Sequence, residues 1–165
     1  MAKLPKEYQF LDLSDYGRTG GRWIAKQLKN TCFTPIHVTT LFIFAGLIAI
    51  GCMLNGYYKI AALFIILKSI LDAADGELSR LKNTPSYTGR YYDSIADIIL
   101  NFCFLLAFWH ITDSSIIYML IAFFGIQLQG TVYNYYYVIL RNAVEGDSTS
   151  RIFEDAAPKA LKGES

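Results

Sequence analysis

The chain has 165 residues, of which 53% are hydrophobic and 15% aromatic, and its formal net charge is +1. A charge this small gives no bulk attraction to nucleic acid, so a nucleic-acid-binding protein is disfavoured. Its three cysteines form no C-x-x-C pair, which argues against a zinc site or a disulfide framework. The apolar residues cluster in long blocks, and this distribution is typical of a membrane protein.

Residues 1–35 are predicted to form a cytoplasmic N-terminal segment. No continuous apolar stretch follows its lysines, so it lacks the pattern of a cleavable signal peptide. Within it, residues 21–30 place Trp23, Ile24 and Leu28 on one helical face and the cations on the other. This pattern predicts an interfacial amphipathic helix whose cations lie near lipid phosphates. An ordinary solvated amphipathic helix is the alternative.

Four apolar blocks follow, each near or above the roughly 20 residues that a helix needs to cross a bilayer. The predicted spans are residues 36–54, 57–75, 89–111 and 115–140. The sequence therefore predicts an all-α integral membrane protein, in which the interfacial helix precedes an antiparallel bundle of about four transmembrane helices. This catalytic domain covers residues 36–141, and the polar tail at 142–165 is predicted to be cytoplasmic and mostly disordered.

The positions of Lys and Arg predict the orientation of the bundle. Cations precede the first span, separate the second from the third and follow the fourth, whereas the two remaining connections carry only Lys59. By the positive-inside rule, both termini are then cytoplasmic. The junction between the second and third spans lies at the same face.

Four aspartates lie at this junction, in the pattern D-x-x-D-G-x-x-S-R, eight residues, G-x-x-x-D-x-x-x-D. A charge within a membrane helix costs roughly 2.5–3.5 kcal/mol on insertion scales, so four such charges need a reason. Because positions three or four apart share a helical face, Asp72 and Asp75 form one polar stripe, and Asp93 and Asp97 form another. The loop between them is short, so the two helices are antiparallel neighbours whose stripes can face each other.

Converging carboxylates repel one another unless a cation neutralises them. Oxygen ligands without histidine or thiolate select magnesium, manganese or calcium over zinc or copper. Gly76 allows close approach of a bulky group, and Arg80 offers a planar donor fork for phosphate. A divalent-metal site beside an arginine is typical of enzymes that transfer phosphoryl groups. The alternative, interfacial aspartates merely paired with nearby cations, leaves Asp97 and the double i+4 spacing unexplained.

The pattern resembles the signature of the CDP-alcohol phosphatidyltransferases, D-x-x-D-G-x-x-A-R, eight or nine residues, G-x-x-x-D-x-x-x-D. Every fixed position agrees except that Ser79 stands where alanine is usual. Upstream, residues 34–39 are similar to the family's T-P-N-x-x-T, with Ile36 in place of asparagine. The resemblance implies an enzyme of phospholipid biosynthesis that transfers a phosphatidyl or phosphoalcohol group from a CDP-alcohol to a second alcohol and releases CMP.

The resemblance also implies roles for individual residues. A divalent metal, Mg²⁺ or Mn²⁺, is held against the diphosphate by Asp72, Asp75 and Asp93, with Asp97 as the base or as a further metal ligand. The CDP moiety and the rest of the substrate are contacted by Gly76, Ser79, Arg80, Gly89 and Thr39. The implied partners are a CDP-linked lipid or alcohol, a small alcohol acceptor and membrane lipid, and a homodimer stays open. The motif is expected to contact the CDP part that the substrates of this family share, so it does not identify the acceptor alcohol.

Several alternatives remain at this point. Family members usually have six spanning helices, so four predicted spans indicate a shortened chain or walls supplied by partner subunits. Polyprenyl-diphosphate transferases also use aspartate-rich motifs and magnesium, but without the D-G-x-x-S-R element. A non-enzymatic divalent-cation-binding or transport protein is disfavoured because the outer halves of the second and third spans look apolar. Two smaller features also have two readings each. Lys68 either snorkels or counters the acidic charge, or it contacts a phosphate. The amides of the fourth span line a head-group cavity or form interhelical hydrogen bonds, namely Gln127, Gln129 and Asn134.

Overall fold

The computed structural model describes residues 6–8, 16–82 and 87–144. Within these ranges, a 3₁₀ turn at Lys6–Tyr8 precedes five α-helices: α1 (Gly17–Leu28), α2 (Pro35–Leu54), α3 (Tyr58–Lys82), α4 (Tyr87–Thr112) and α5 (Ile116–Ala143). The described ranges contain no strand, which confirms the all-α class. Of the tail predicted at 142–165, residues 142 and 143 are helical and end α5, and residues from 145 onward lie outside the described part of the chain.

α1 is the amphipathic helix expected near residues 21–30, and it begins earlier, at Gly17. It packs on α3 through its glycines. A Cβ added at Gly17 would lie 2.9 Å from the carbonyl oxygen of Ser69, and one added at Gly21 would lie 2.9 Å from the backbone of Ala73. Real side chains do not fit at such distances, so the two glycines permit contact between the helix backbones.

The three apolar residues that the sequence places on one face of α1 have different surroundings in the structure. Ile24 and Leu28 pack against a buried cluster that includes Ala74 and Leu78 of α3, whereas Trp23 is 66% exposed. The cation Arg22 forms an ion pair with Glu77 and remains about half exposed, so a carboxylate partners it within the protein. The position of α1 in the membrane interface stays a prediction.

α2 begins at Pro35, where the missing N–H of proline is not needed by the helix. The backbone N–H of Thr34 donates to Nδ1 of His37 at 3.1 Å, so His37 caps the helix start. At the other end, Gly56 adopts a φ of 78°, in the left-handed region that favours glycine. This tight turn makes α3 an antiparallel neighbour of α2.

α2 is the central helix of the bundle, in contact with both α3 and α4. Phe42 is fully buried together with Ala96 and Leu100 of α4. A Cβ added at Gly46 would lie 2.9 Å from both terminal carbons of Leu100, so this glycine also permits close packing. α5 packs along α4 on the far side from α2 and α3 and is largely exposed.

Among the described residues, three helices are long and apolar enough to cross a membrane: Pro35–Leu54, Thr88–Thr112 and Ile116–Ala143. They match the first, third and fourth predicted spans, in keeping with an all-α membrane protein. The second predicted span, 57–75, lies in α3 and does not reach this composition, because its charges include Lys59, Lys68 and Asp72. That α3 crosses the membrane beside α2 therefore stays a prediction.

Candidate active site

Three of the four predicted aspartates converge between α3 and α4. Asp72, Asp75 and Asp93 each offer a carboxylate oxygen, and these oxygens all lie within 4.8 Å of one another. Asp72 and Asp75 are one turn apart on α3, and Asp93 faces them from near the start of α4. We call these three residues the aspartate triad. The structure thus brings together three members of the predicted metal-ligand set.

The surroundings of the aspartate triad fit a divalent cation. Oδ1 of Asp93 is buried and has no hydrogen-bond partner among the described residues. Leaving a buried acceptor unsatisfied costs roughly 1–3 kcal/mol, and more when the group is charged. Carboxylate oxygens without histidine or thiolate are the donors that Mg²⁺ and Mn²⁺ prefer. A cation bound here would satisfy the Asp93 oxygen and reduce the repulsion between the three carboxylates.

Thr39 lies behind the aspartate triad, on α2. Its hydroxyl donates a buried hydrogen bond of 2.7 Å to Oδ2 of Asp75. The carbonyl oxygen of Pro35 is farther away, at 3.1 Å, so the single hydroxyl proton favours the carboxylate. Thr39 is 2% exposed, which leaves almost no surface for the substrate contact expected from the sequence. Its position suits orientation of Asp75.

Asp97 is not part of the aspartate triad. Nζ of Lys68, on α3, donates to Oδ1 of Asp97, and the two side chains form an ion pair. The same ammonium lies 5.0 Å from the centroid of the Phe42 ring. This placement favours neutralisation of an acid by Lys68 over the alternative of a phosphate contact. Asp97 is not among the three residues that could share one cation.

Gly76 leaves open space next to Asp75. A Cβ added there would meet only Nη1 and Nη2 of Arg80 among the described residues, both at 3.8 Å, which is an ordinary contact distance. Packing within the described residues therefore does not require a glycine, although glycine inside a helix costs roughly 0.5–1 kcal/mol relative to alanine. The space lies between a carboxylate and a guanidinium, where an anionic group can approach the backbone closely.

Glu77 is a site residue that the sequence analysis missed. Its Oε1 accepts a hydrogen bond of 2.8 Å from Nε of Arg22, and its Oε2 accepts one of 3.0 Å from Nε of Arg80. Glu77 lies beyond the predicted span 57–75. Burial alone would raise the pKa of Glu77, but the hydrogen bonds from Arg22 and Arg80 outweigh burial and hold this pKa below its ordinary value. Arg80 donates to Glu77 through Nε, so its terminal nitrogens Nη1 and Nη2 are not used in this bond and lie next to Gly76.

The two remaining predicted site residues follow the same helical faces. Ser79 is one turn after Asp75 on α3, and Gly89 is one turn before Asp93 on α4; both are half-buried. A cavity of about 630 Å³ lies farther along α4, between α4 and α5, and Asp97 is part of its wall. The site therefore has two adjoining parts, the aspartate triad with Arg80 and the cavity beside Asp97.

Comparison with known protein families agrees with this geometry. A model of the family described as CDP-alcohol phosphatidyltransferase matches residues 32–151, which is more than half of the chain. The matched region includes the whole of α2 to α5 and every predicted site residue. A search of curated proteins finds no match. The chain therefore belongs to the CDP-alcohol phosphatidyltransferase family.

Proposed function

We propose that this chain is a divalent-metal-dependent transferase of phospholipid biosynthesis that moves a phosphatidyl or phosphoalcohol group from a CDP-alcohol to a second alcohol. Family membership supports a phosphotransferase that acts on CDP-alcohols. The observation that carries the specific proposal is the convergence of Asp72, Asp75 and Asp93 around the buried, unpartnered Oδ1 of Asp93. The family match also favours this reading over a polyprenyl-diphosphate transferase or a cation transporter.

In the proposed mechanism, the aspartate triad holds Mg²⁺ or Mn²⁺. The bound cation supplies electrostatic stabilisation of the diphosphate and of the departing CMP. Thr39 keeps the Asp75 carboxylate in position through its hydrogen bond. Gly76 leaves room for the diphosphate, and Arg80, fixed by Glu77, donates to one of its phosphate oxygens.

Asp97 is the proposed general base. Its pairing with Lys68, away from the aspartate triad, favours this role over that of a further metal ligand. Asp97 takes the proton of the acceptor hydroxyl as the acceptor oxygen forms a bond to phosphorus. The bond between that phosphorus and the CMP oxygen breaks, and CMP leaves with the electron pair.

The proposed location of the reaction is the cytoplasmic face of the membrane. The clustering of cations at the same junction as the aspartates supports this orientation, with both termini cytoplasmic. The open side of the site, beyond α4 and α5, is where a second copy of the chain could complete the wall. A homodimer is therefore part of the proposal.

The test is CMP release by the full chain in detergent, with CDP-diacylglycerol, a panel of small alcohols and Mg²⁺ or Mn²⁺. Light scattering on the same sample measures the oligomeric state. We expect metal-dependent CMP release that falls to background in Asp93→Asn. The matched control is Asp113→Asn, because Asp113 is an exposed aspartate in the turn after α4. CMP release that survives metal chelation or the Asp93→Asn change contradicts the proposal.

A further inference from the structure

The cavity between α4 and α5 is lined by polar side chains of two predominantly apolar helices. Its volume is about 630 Å³. The polar lining residues are Ser94, Asp97 and Asn101 from α4, and Gln127, Thr131, Asn134 and Tyr135 from α5. Polar groups within membrane helices are unfavourable unless they are paired or face a polar space. The concentration of these polar side chains around one cavity requires an explanation.

Interhelical hydrogen bonding does not explain it. Within the part of the chain that the structure describes, the side chains of Asn101, Gln127 and Asn134 make no hydrogen bond, and the hydroxyl of Thr131 donates to the backbone of its own helix at Gln127. The three carboxamides therefore present free donors and acceptors to the cavity. Such groups suit a ligand that carries several hydroxyl groups.

The charge of the lining residues restricts the class of ligand further. Among the described lining residues, the only charged side chain is that of Asp97, and none is Lys, Arg or His. Lys68 is already paired with Asp97, and Arg141, one turn beyond Val138, is 5% exposed and outside the lining. A phosphate group placed in the cavity would meet the Asp97 carboxylate, and no described lining residue offers a cation to pair with that phosphate.

We infer that this cavity binds the acceptor alcohol and selects an acceptor that carries hydroxyl groups but no phosphate. The inference rests on the proposed function and deepens it by naming the acceptor class. An acceptor in the cavity has its hydroxyl beside Asp97. That hydroxyl loses its proton to Asp97, its oxygen bonds to phosphorus, and the phosphorus–oxygen bond to CMP breaks.

The first test compares matched acceptors on the full chain, with CDP-diacylglycerol and Mg²⁺. The pairs are glycerol and glycerol 3-phosphate, inositol and inositol 1-phosphate, and serine and phosphoserine. We expect at least one unphosphorylated acceptor to have a kcat/KM about tenfold or more above that of its phosphorylated partner. A preference for the phosphorylated member in the reactive pairs, or equal rates, overturns the inference and leaves the proposed function standing. No CMP release with any acceptor contradicts the proposed function, and the inference with it.

The second test assigns the selectivity to the cavity. Loss of a hydrogen bond in Gln127→Leu or Asn134→Leu should raise the KM for the acceptor about tenfold and leave the KM for CDP-diacylglycerol unchanged. The matched control is Gln129→Leu, because Gln129 is an amide of α5 outside the lining. Equal effects of the three changes on the acceptor KM overturn the inference. In Gln127→Arg, which adds a cation, discrimination against the phosphorylated acceptor should fall, and an unchanged ratio overturns the charge argument.

Discussion

The hydroxyl of Thr39 on α2 donates a hydrogen bond of 2.7 Å to Oδ2 of Asp75 on α3, and both residues are buried. A carboxylate held by a donor from a neighbouring helix keeps its orientation when no ligand is bound. Since Asp75 belongs to the aspartate triad, α2 contributes to the proposed metal site without providing one of its proposed ligands. A side chain of α2 therefore supports the acidic motif of α3.

Thr39→Val should weaken divalent-metal binding about 10–100-fold, because partners that orient metal ligands typically contribute this much. Thr39→Ser keeps the hydroxyl and should retain most of the affinity. Binding of Mn²⁺ to the purified chain, followed by electron paramagnetic resonance, measures the effect without substrate. The control is Thr40→Val, because the Thr40 hydroxyl donates to the backbone of Ile36. Equal Mn²⁺ affinity in Thr39→Val and the unmodified chain contradicts the role.

Mg²⁺ should stabilise the folded chain, and Asp93→Asn should remove this effect. A ligand whose free concentration is 100 times its Kd stabilises the folded state by about 2.7 kcal/mol. Without metal, Asp93→Asn should unfold at a higher temperature than the unmodified chain, because one of three mutually repelling carboxylates is gone. Thermal unfolding in detergent, with and without Mg²⁺, measures both effects. An Asp93→Asn chain that Mg²⁺ stabilises fully would show that the cation binds elsewhere.

Gly76→Ala should raise the free energy of unfolding by about 0.5–1 kcal/mol, because the helix interior prefers alanine and the described neighbours leave room for a Cβ. The same change should lower kcat/KM about 10–100-fold, because the methyl group displaces the diphosphate from its position. The control is Gly51→Ala, since no described atom lies within 4 Å of a Cβ placed there. It should gain similar stability and keep full activity. Full activity in Gly76→Ala contradicts the proposed diphosphate position.

Acid should weaken the contact between α1 and α3 through Glu77. The pKa of Glu77 lies below its ordinary value of 4.5, so its hydrogen bonds to Arg22 and Arg80 contribute their full stability above pH 4.5. This contribution is lost as the pH falls through the lowered pKa. Thermal unfolding between pH 6 and about pH 3 should show a smaller loss of stability in Glu77→Gln than in the unmodified chain. Parallel pH profiles of the two chains would exclude Glu77 as a source of this dependence.

The sequence predicted the helices and the convergence of three acids because both depend on local periodicity. Asp72 and Asp75 share a face of α3 through their spacing, and the short connection after α3 brings Asp93, near the start of α4, close to them. The helices differ from the predicted antiparallel pair, because α4 packs mainly against α2 and α5 rather than along α3. The hydropathy of a single segment similarly identified α2, α4 and α5 as candidate spans. These features need no knowledge of how distant residues pack.

The remaining features depend on contacts between helices. The spacing of Asp97 from Asp93 equals one turn, but only the placement of Lys68 beside it shows that it stands apart from the aspartate triad. Glu77 occupies an unspecified position of the motif, and its partner Arg22 precedes it by 55 residues. Its spacing of three residues from Arg80 was the one local signal that could have identified it.

Gly17 and Gly21 bring the backbone of α1 into direct contact with that of α3. With α1 in the interface, as its amphipathic sequence predicts, the head-group layer that receives Trp23 also fixes how deeply Asp72 and Asp75 lie below the membrane surface. For the proposed reaction, the depth of α1 would then set the position of these carboxylates relative to the diphosphate of a lipid substrate in the same leaflet.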